Sequence, residues 1–257
     1  MKVYFIGAGP GAGDLITIRG ARALGKVSLV LYAGSLVPPA LLEHCRPDAD
    51  IINTAGLNLE EQIGHYLHAQ ANYFDVARLH SGDPAIYGAT GEQIQELKKH
   101  GIDYEIIPGV SSFTAAAAEL GLELTRPTIS QTIILTRVSG RASAVPELES
   151  IDKLAYHQAT LCIFLSGPHL RKIVDDLMQH YAESTPVALV YRATWEDQRT
   201  HKSTLGRVLE EVAVDDWKLT TMLLVGAVLD DEIEAASKLY AADYSHKFRK
   251  ARVPVQS

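Results

Sequence analysis

The sequence predicts two α/β domains, the first built on a mostly parallel sheet and the second on a mixed one. Three observations lead there. Short β-rich apolar runs alternate with segments of helical apolar spacing. Glycine-rich turns follow the first-half runs that end near Ile6, Leu79 and Ile107. Past residue 123 the runs become more β-branched and their connections longer.

Lys2 to Ile6 alternates β-formers and runs into glycines, a strand and loop, and Leu15 to Leu24 carries helical spacing behind Asp14, read as its N-cap. Val27 to Tyr32 is an apolar strand, Leu59 to Ala71 a helix, Asp75 to Leu79 a strand, Gly91 to His100 a helix and Tyr104 to Ile107 a strand. Val110 to Leu120 is an alanine-rich helix ended by Gly121, and Pro127 breaks regular structure soon after. The domains are therefore 1–123 and 124–257. In the second, strands are expected at Ile129 to Thr136, Thr160 to Leu165, Pro186 to Tyr191 and Leu219 to Val228, with helices at Leu170 to Tyr181 and Thr204 to Val212. The basic tail from Asp243 to Ser257 is expected to be partly ordered at best.

Composition bounds the function. A chain of 257 residues with 47% hydrophobic and 21% charged residues can bury a core. A net charge of −7 offers no general attraction to nucleic acid or anionic lipid. Neither a signal segment nor a membrane span is read, and Cys45 and Cys162 make no disulfide framework, which fits the cytoplasm. His65 and His68 lack a third ligand nearby, so no metal is expected.

Three loops carry the chemistry. Gly7 to Asp14 (GAGPGAGD) formally matches a dinucleotide fingerprint. That reading wants an acidic residue about 20 positions on for the ribose, and Val27 to Ala40 holds no Asp or Glu. Leu79 to Gly88 (LHSGDPAIYG) lies at a strand's carboxyl end, where open α/β sheets bind ligands. The proline after Asp83 holds that residue extended, so its carboxylate is fixed and could accept from a ribose hydroxyl or an ammonium. Ile107 to Phe113 (IPGVSSF) opens a helix that Ser111 and Ser112 could cap, and its small residues let a flat ring approach the backbone. No G-x-S-x-G and no P-loop lysine is present, so hydrolase and NTPase readings lose their support.

Taken together, VYFIGAGPGAGDLIT, LHSGDPAIYG and IPGVSSFTAAAAELG resemble the tetrapyrrole methyltransferase family, over nearly the whole chain. Tyr32 to Val37, Gln131 to Arg137, Ser139 to Arg141 and Tyr191 to Trp195 look like the branch of that family that methylates C-11 of precorrin-4 or cobalt-precorrin-4, in the corrin pathway to cobalamin. The resemblance implies a homodimer of two-domain chains, with S-adenosylmethionine in the interdomain cleft and S-adenosylhomocysteine as product. It implies contacts from Pro10, from Ser81, Gly82, Asp83 and Ile86, from Ser111 and Ser112, and from Leu165, Ala193 and Thr221, with Ser81 replacing a commoner glycine and Leu165 a commoner methionine. No catalytic residue is singled out.

A tetrapyrrole with peripheral carboxylates would be met by arginines, the candidates being Arg126, Arg137, Arg141 and Arg192. Asp14 could face the same substrate. The competing readings are a methylase of the same family acting at another ring position or on diphthamide, a nicotinamide-dependent oxidoreductase, and a ligand-binding module without turnover.

Overall fold

In the computed structural model, residues 1–139, 144–230, 241–242 and 244–250 are described. Arg141, and residues 243 and 251–257 of the basic tail, lie outside them. The chain divides into two compact units. One comprises Met1–Glu119 together with Arg192–Arg199, and the other comprises Leu120–Tyr191 and the described chain from Thr200 onward. The sequence reading cuts the chain once, after residue 123. The structure instead gives the first unit a short segment from the second half.

The first unit is built on five strands: β1 (Lys2–Gly7), β2 (Leu29–Tyr32), β3 (Asp50–Asn53), β4 (Val76–His80) and β5 (Asp103–Ile107). Their order is β3-β2-β4-β1-β5, and every pairing is parallel. Period-2 alternation divides the core between the two faces. Ile6, Ala77 and Leu79 pack with Leu24 and Leu41 on one face, while Val3, Phe5 and Val76 pack with Ile63, Tyr66 and Leu97 on the other. The covering helices are α1 (Ile18–Leu24), α2 (Leu59–Ala71) and α3 (Thr90–Lys99), and α4 (Ser112–Glu119) follows β5.

Two expectations are corrected here. Asp14 caps nothing: Gly13–Leu15 is a single 3₁₀ turn, and α1 starts later, behind Thr17, whose Oγ1 accepts from the Gly20 N–H at 3.1 Å. Ile16, at φ −68° and ψ 143°, is extended and buried, so the apolar spacing that suggested one long helix belongs partly to a core-filling turn. The second is β3, which the sequence reading leaves out. It is a four-residue edge strand with Asp50, Ile51 and Asn53 exposed, and a polar edge carries no alternation to read. By contrast α2 spans the predicted residues, because Asn58 and Glu61 form a reciprocal capping box at 2.9 and 2.7 Å.

The second unit is a mixed sheet, as its β-branched runs lead one to expect. Its strands are β6 (Ile133–Arg137), β7 (Thr160–Phe164), β8 (Pro186–Tyr191), β9 (Arg199–Thr204) and β10 (Thr221–Val225), in the order β6-β7-β10-β8-β9. β6 and β7 are parallel, whereas β10 runs antiparallel to β7 and β8. Helices α5 (Ile151–Ala155) and α6 (Leu170–Leu177) pack on it, α6 through Leu170, Ile173, Val174 and Leu177. The predicted helix at Thr204 to Val212 shortens to α7 (Val208–Glu211), since Thr204 ends β9, a polar edge strand that the sequence reading also lacks. No helix among the described residues is long and apolar enough to cross a membrane.

Candidate functional site

In the first sheet the chain leaves β1 toward β2 on one side and later reaches β5 on the other, so the carboxyl ends of β4, β1 and β5 stand side by side where the strand order reverses. Ligands of open α/β sheets bind at such points. The three loops singled out by sequence leave these ends: Gly7 to Gly13 after β1, Ser81 to Gly88 after β4, and Pro108 to Ser111 after β5.

The loops are joined backbone to backbone. The Gly9 N–H donates to the Gly82 carbonyl at 3.2 Å and the Gly82 N–H to the Gly9 carbonyl at 2.7 Å, while the Ala8 N–H donates to the His80 carbonyl at 2.7 Å. Gly9 and Gly82 hold φ of +78° and +65°, conformations open to glycine. A Cβ added to Gly109 would stand 2.1 Å from the Gly82 carbonyl oxygen, and one added to Gly7 would stand 2.4 Å from the Gly109 Cα. Three chains thus meet with no room for a side chain between them.

Asp83 fastens this junction. Its Oδ2 accepts from the Gly109 N–H at 2.8 Å and its Oδ1 from the Ala85 N–H at 2.7 Å. The carboxylate anticipated as a ligand acceptor therefore ties one loop to another, using two of its roughly four acceptor positions. Ser111 and Ser112 lie beside it, with a Cβ on Gly82 falling 3.6 Å from the Ser111 Cα. Ser111 receives the Ala115 N–H on its main-chain carbonyl at 3.2 Å. Neither serine hydroxyl caps α4 or bonds to any described residue, so the expected cap is absent and both hydroxyls remain available. Ser81 is exposed and Ile86 half-buried.

Pro10 and Ala193 are brought together by the segment that the second half lends to this unit. The Pro10 carbonyl accepts from the Trp195 Nε1–H at 2.8 Å, and a Cβ on Gly11 would lie 2.8 Å from the Ala193 carbonyl oxygen. Leu165 and Thr221 belong to the second unit. There they are neighbours, because Ser166 donates both its N–H (3.2 Å) and its hydroxyl (3.0 Å) to the Thr221 carbonyl. Leu165 adopts φ +57°, an unusual conformation for a branched side chain, and the buried Thr221 Oγ1 has no hydrogen-bond partner. Of the arginine candidates, Arg192 is held by Asp197 at 2.5 Å and Arg126 donates to the Asp230 carbonyl at 2.7 Å, so neither is a bare surface charge. Arg137 donates from Nε to the Val138 carbonyl at 3.5 Å. Asp14, freed from capping, is exposed at the tip of the first loop.

Sequence reasoning passed over His80, although it stands next to Ser81. Its ring lies in the core under the second loop, near the Gly88 main chain. Burial, and then the neighbouring Arg78 guanidinium, push its pKa down to about 3. The folded protein holds the ring neutral, whereas the unfolded chain protonates it near pH 6.5. Its contribution to stability is thus complete above pH 6.5 and is lost at up to about 1.4 kcal/mol per pH unit as the pH falls toward 3. Urea denaturation of wild type and His80→Gln between about pH 6.5 and pH 4.5 checks this. The variant should show the shallower decline, and equal slopes would assign the effect to other groups.

No Lys or Arg occurs in the three loops, and no carboxylate in residues 33–42 after β2. The junction offers peptide groups, serine hydroxyls, the Asp83 carboxylate and small apolar surfaces, without a phosphate clamp. A nicotinamide dinucleotide is poorly served by it.

Comparison with known proteins agrees. Residues 2–209 match the family of Tetrapyrrole (Corrin/Porphyrin) Methylases. The chain is 50% identical to the precorrin-4 C(11)-methyltransferase of Pseudomonas aeruginosa, over 97% of this chain and 99% of that one. It is 47% identical to the cobalt-precorrin-4 C(11)-methyltransferase of Methanocaldococcus jannaschii, over 97% and 96% respectively. Among solved structures, it is similar to a cobalt precorrin-4 methyltransferase of cobalamin biosynthesis, with a TM-score of 0.85, 43% identity, and 89% and 96% of the two chains covered. A uroporphyrin-III C-methyl transferase from Thermus thermophilus complexed with S-adenyl homocysteine gives a TM-score of 0.76 at 26% identity, covering 91% and 96%. A junction of three glycine loops without a phosphate clamp, and a match along nearly the whole chain, lead to one conclusion: this chain belongs to the tetrapyrrole (corrin/porphyrin) methylase family.

Proposed function

We propose that this chain transfers a methyl group from S-adenosylmethionine to C-11 of precorrin-4 or cobalt-precorrin-4, as the names of its half-identical relatives indicate for those proteins. The observation that carries the reading is the three-loop junction itself, closed by Asp83 and the glycines, presenting two unbonded hydroxyls and no cation. That chemistry fits a donor without phosphate. Pro10, Ser81, Gly82, Asp83, Ile86, Ser111, Ser112 and Ala193 of the first unit, with Leu165 and Thr221 of the second, are the residues proposed to hold it. The chain is further proposed to act in the cytoplasm as a homodimer.

When bound, S-adenosylmethionine supplies an electrophilic methyl on a sulfonium, an excellent leaving group that needs no covalent enzyme nucleophile. The chain's own contribution is placement. Gly82 and Gly109 let backbone come close to the ligand, Ser111 and Ser112 offer hydroxyls to its polar groups, and Asp83 keeps the loops at fixed separation. Holding two reactants in line is worth about 7 to 11 kcal/mol of barrier.

The test has two arms. Calorimetry should give binding of S-adenosylhomocysteine and no heat with NADH. Incubation of the protein and S-adenosylmethionine with precorrin-4, and separately with its cobalt form, should place the new methyl on C-11 by NMR. A methyl on another ring carbon would make the chain a different methylase of the family, and tight NADH binding would defeat the reading altogether.

A further inference from the structure

The segment Arg192–Arg199 leaves the second unit after β8, joins the first unit, and returns through β9. It grips the first glycine loop on consecutive residues. Trp195 donates its indole N–H to the Pro10 carbonyl at 2.8 Å, and the Thr194 Oγ1 accepts the Ala12 N–H at 2.8 Å. Between these two bonds lies Gly11, where an added Cβ would come within 2.4 Å of the Trp195 Cδ1 and 2.6 Å of the Thr194 Oγ1. Glycine at 11 is what lets the indole settle onto the loop.

The grip is itself held from behind. The Arg192 guanidinium stacks over the Trp195 ring at 4.1 Å from its centroid and pairs with Asp197 at 2.5 Å. Thr194 donates its N–H to the Gln198 side chain, whose amide in turn donates to Glu119 at 2.7 Å. Arg192 and Thr194 hold φ of +49° and +69°, left-handed conformations that non-glycine residues rarely adopt without enforcement by their surroundings. A loop strained at two positions and braced by four side chains, all to present one indole N–H and one hydroxyl to one glycine loop, is an arrangement for precision of placement.

We propose that Trp195 and Thr194 are positioning residues for methyl transfer, setting the height of the Pro10 to Ala12 backbone against the donor. The inference rests on the reading that this loop contacts S-adenosylmethionine. Trp195→Phe keeps a ring for Arg192 but deletes the N–H, and Thr194→Val deletes the acceptor while keeping the branched shape. Each should raise the Kd for S-adenosylhomocysteine about five- to tenfold, the factor expected for one hydrogen bond that organises a site, and raise the KM for S-adenosylmethionine in parallel. Thr194→Ser, which keeps the hydroxyl, should bind as wild type does.

The chain has two tryptophans, and the other, Trp217, is buried in the core of the second unit. Wild-type emission should therefore change on addition of S-adenosylhomocysteine, and Trp195→Phe should lose that change even at saturation, which a merely structural role would not require. If wild type binds S-adenosylhomocysteine and both Trp195→Phe and Thr194→Val bind it with unchanged Kd, the positioning role is overturned while the donor reading stands. If wild type does not bind it, both fall.

Discussion

Replacing Gly109 by alanine should be the most damaging single-carbon change in the first unit. The new Cβ would sit 2.1 Å from the Gly82 carbonyl oxygen and 2.7 Å from the Gly7 Cα, and all these atoms are backbone. A flexible side chain could swing away from such an intrusion, but two loops anchored by their own hydrogen bonds cannot. Overpacking that does yield costs 1 to 3 kcal/mol, so a loss of about 3 kcal/mol or more is expected, together with S-adenosylhomocysteine binding too weak to titrate. Urea denaturation and calorimetry measure the two effects. Gly64→Ala, where a Cβ would meet nothing within 4 Å, is the control and should be neutral or slightly stabilising in its helix. A Gly109→Ala protein as stable as wild type would mean that the three loops are not in contact.

Second in size is Asp83→Ala. The Gly109 and Ala85 N–H groups lose their acceptor at once, and for the half-buried Gly109 no solvent group is assured in its place. Leaving such a donor unmet costs about 1 to 3 kcal/mol. The larger effect should fall on binding, because the second and third loops are then free to part, and affinity for S-adenosylhomocysteine should drop at least about tenfold. Asp83→Asn keeps one amide oxygen and should lie between the alanine variant and wild type. Unaltered affinity in Asp83→Ala would remove the residue from the site. The carboxylate's role here is closure between loops, so the loss would show in off-rate as well as in equilibrium.

What the sequence made legible follows from where each signal is stored. The central strands were readable because β4 and β10 are buried on both faces and are apolar at most positions, the buried Arg78, His80 and Thr221 being the exceptions. The start of α2 is stored locally, in the Asn58–Glu61 capping box, a signal that the sequence reading did not use. The edges were not readable: β3 and β9 expose polar residues and are defined by their neighbours. The same holds for the site. Glycines and Asp83 announce a loop at a strand's end, but that the carboxylate reaches Gly109, 26 positions on, is a tertiary fact. Trp195 was quoted in a motif with no task assigned to it, because its partner at Pro10 is 185 residues distant. Asp14 misled by standing at a good N-cap position for a helix that starts one turn later behind Thr17.

The loan of Arg192–Arg199 to the first unit bears on how the chain matures during synthesis. Domains generally form in order as the nascent chain emerges, and here the five-stranded sheet has all of its strands once Ile107 has been made. Its first glycine loop, however, gains the indole and the hydroxyl that brace it only after the ribosome has passed Arg199. An amino-terminal fragment would therefore fold its sheet and still lack a finished loop, and the two halves, cut apart, could not be exchanged as independent modules.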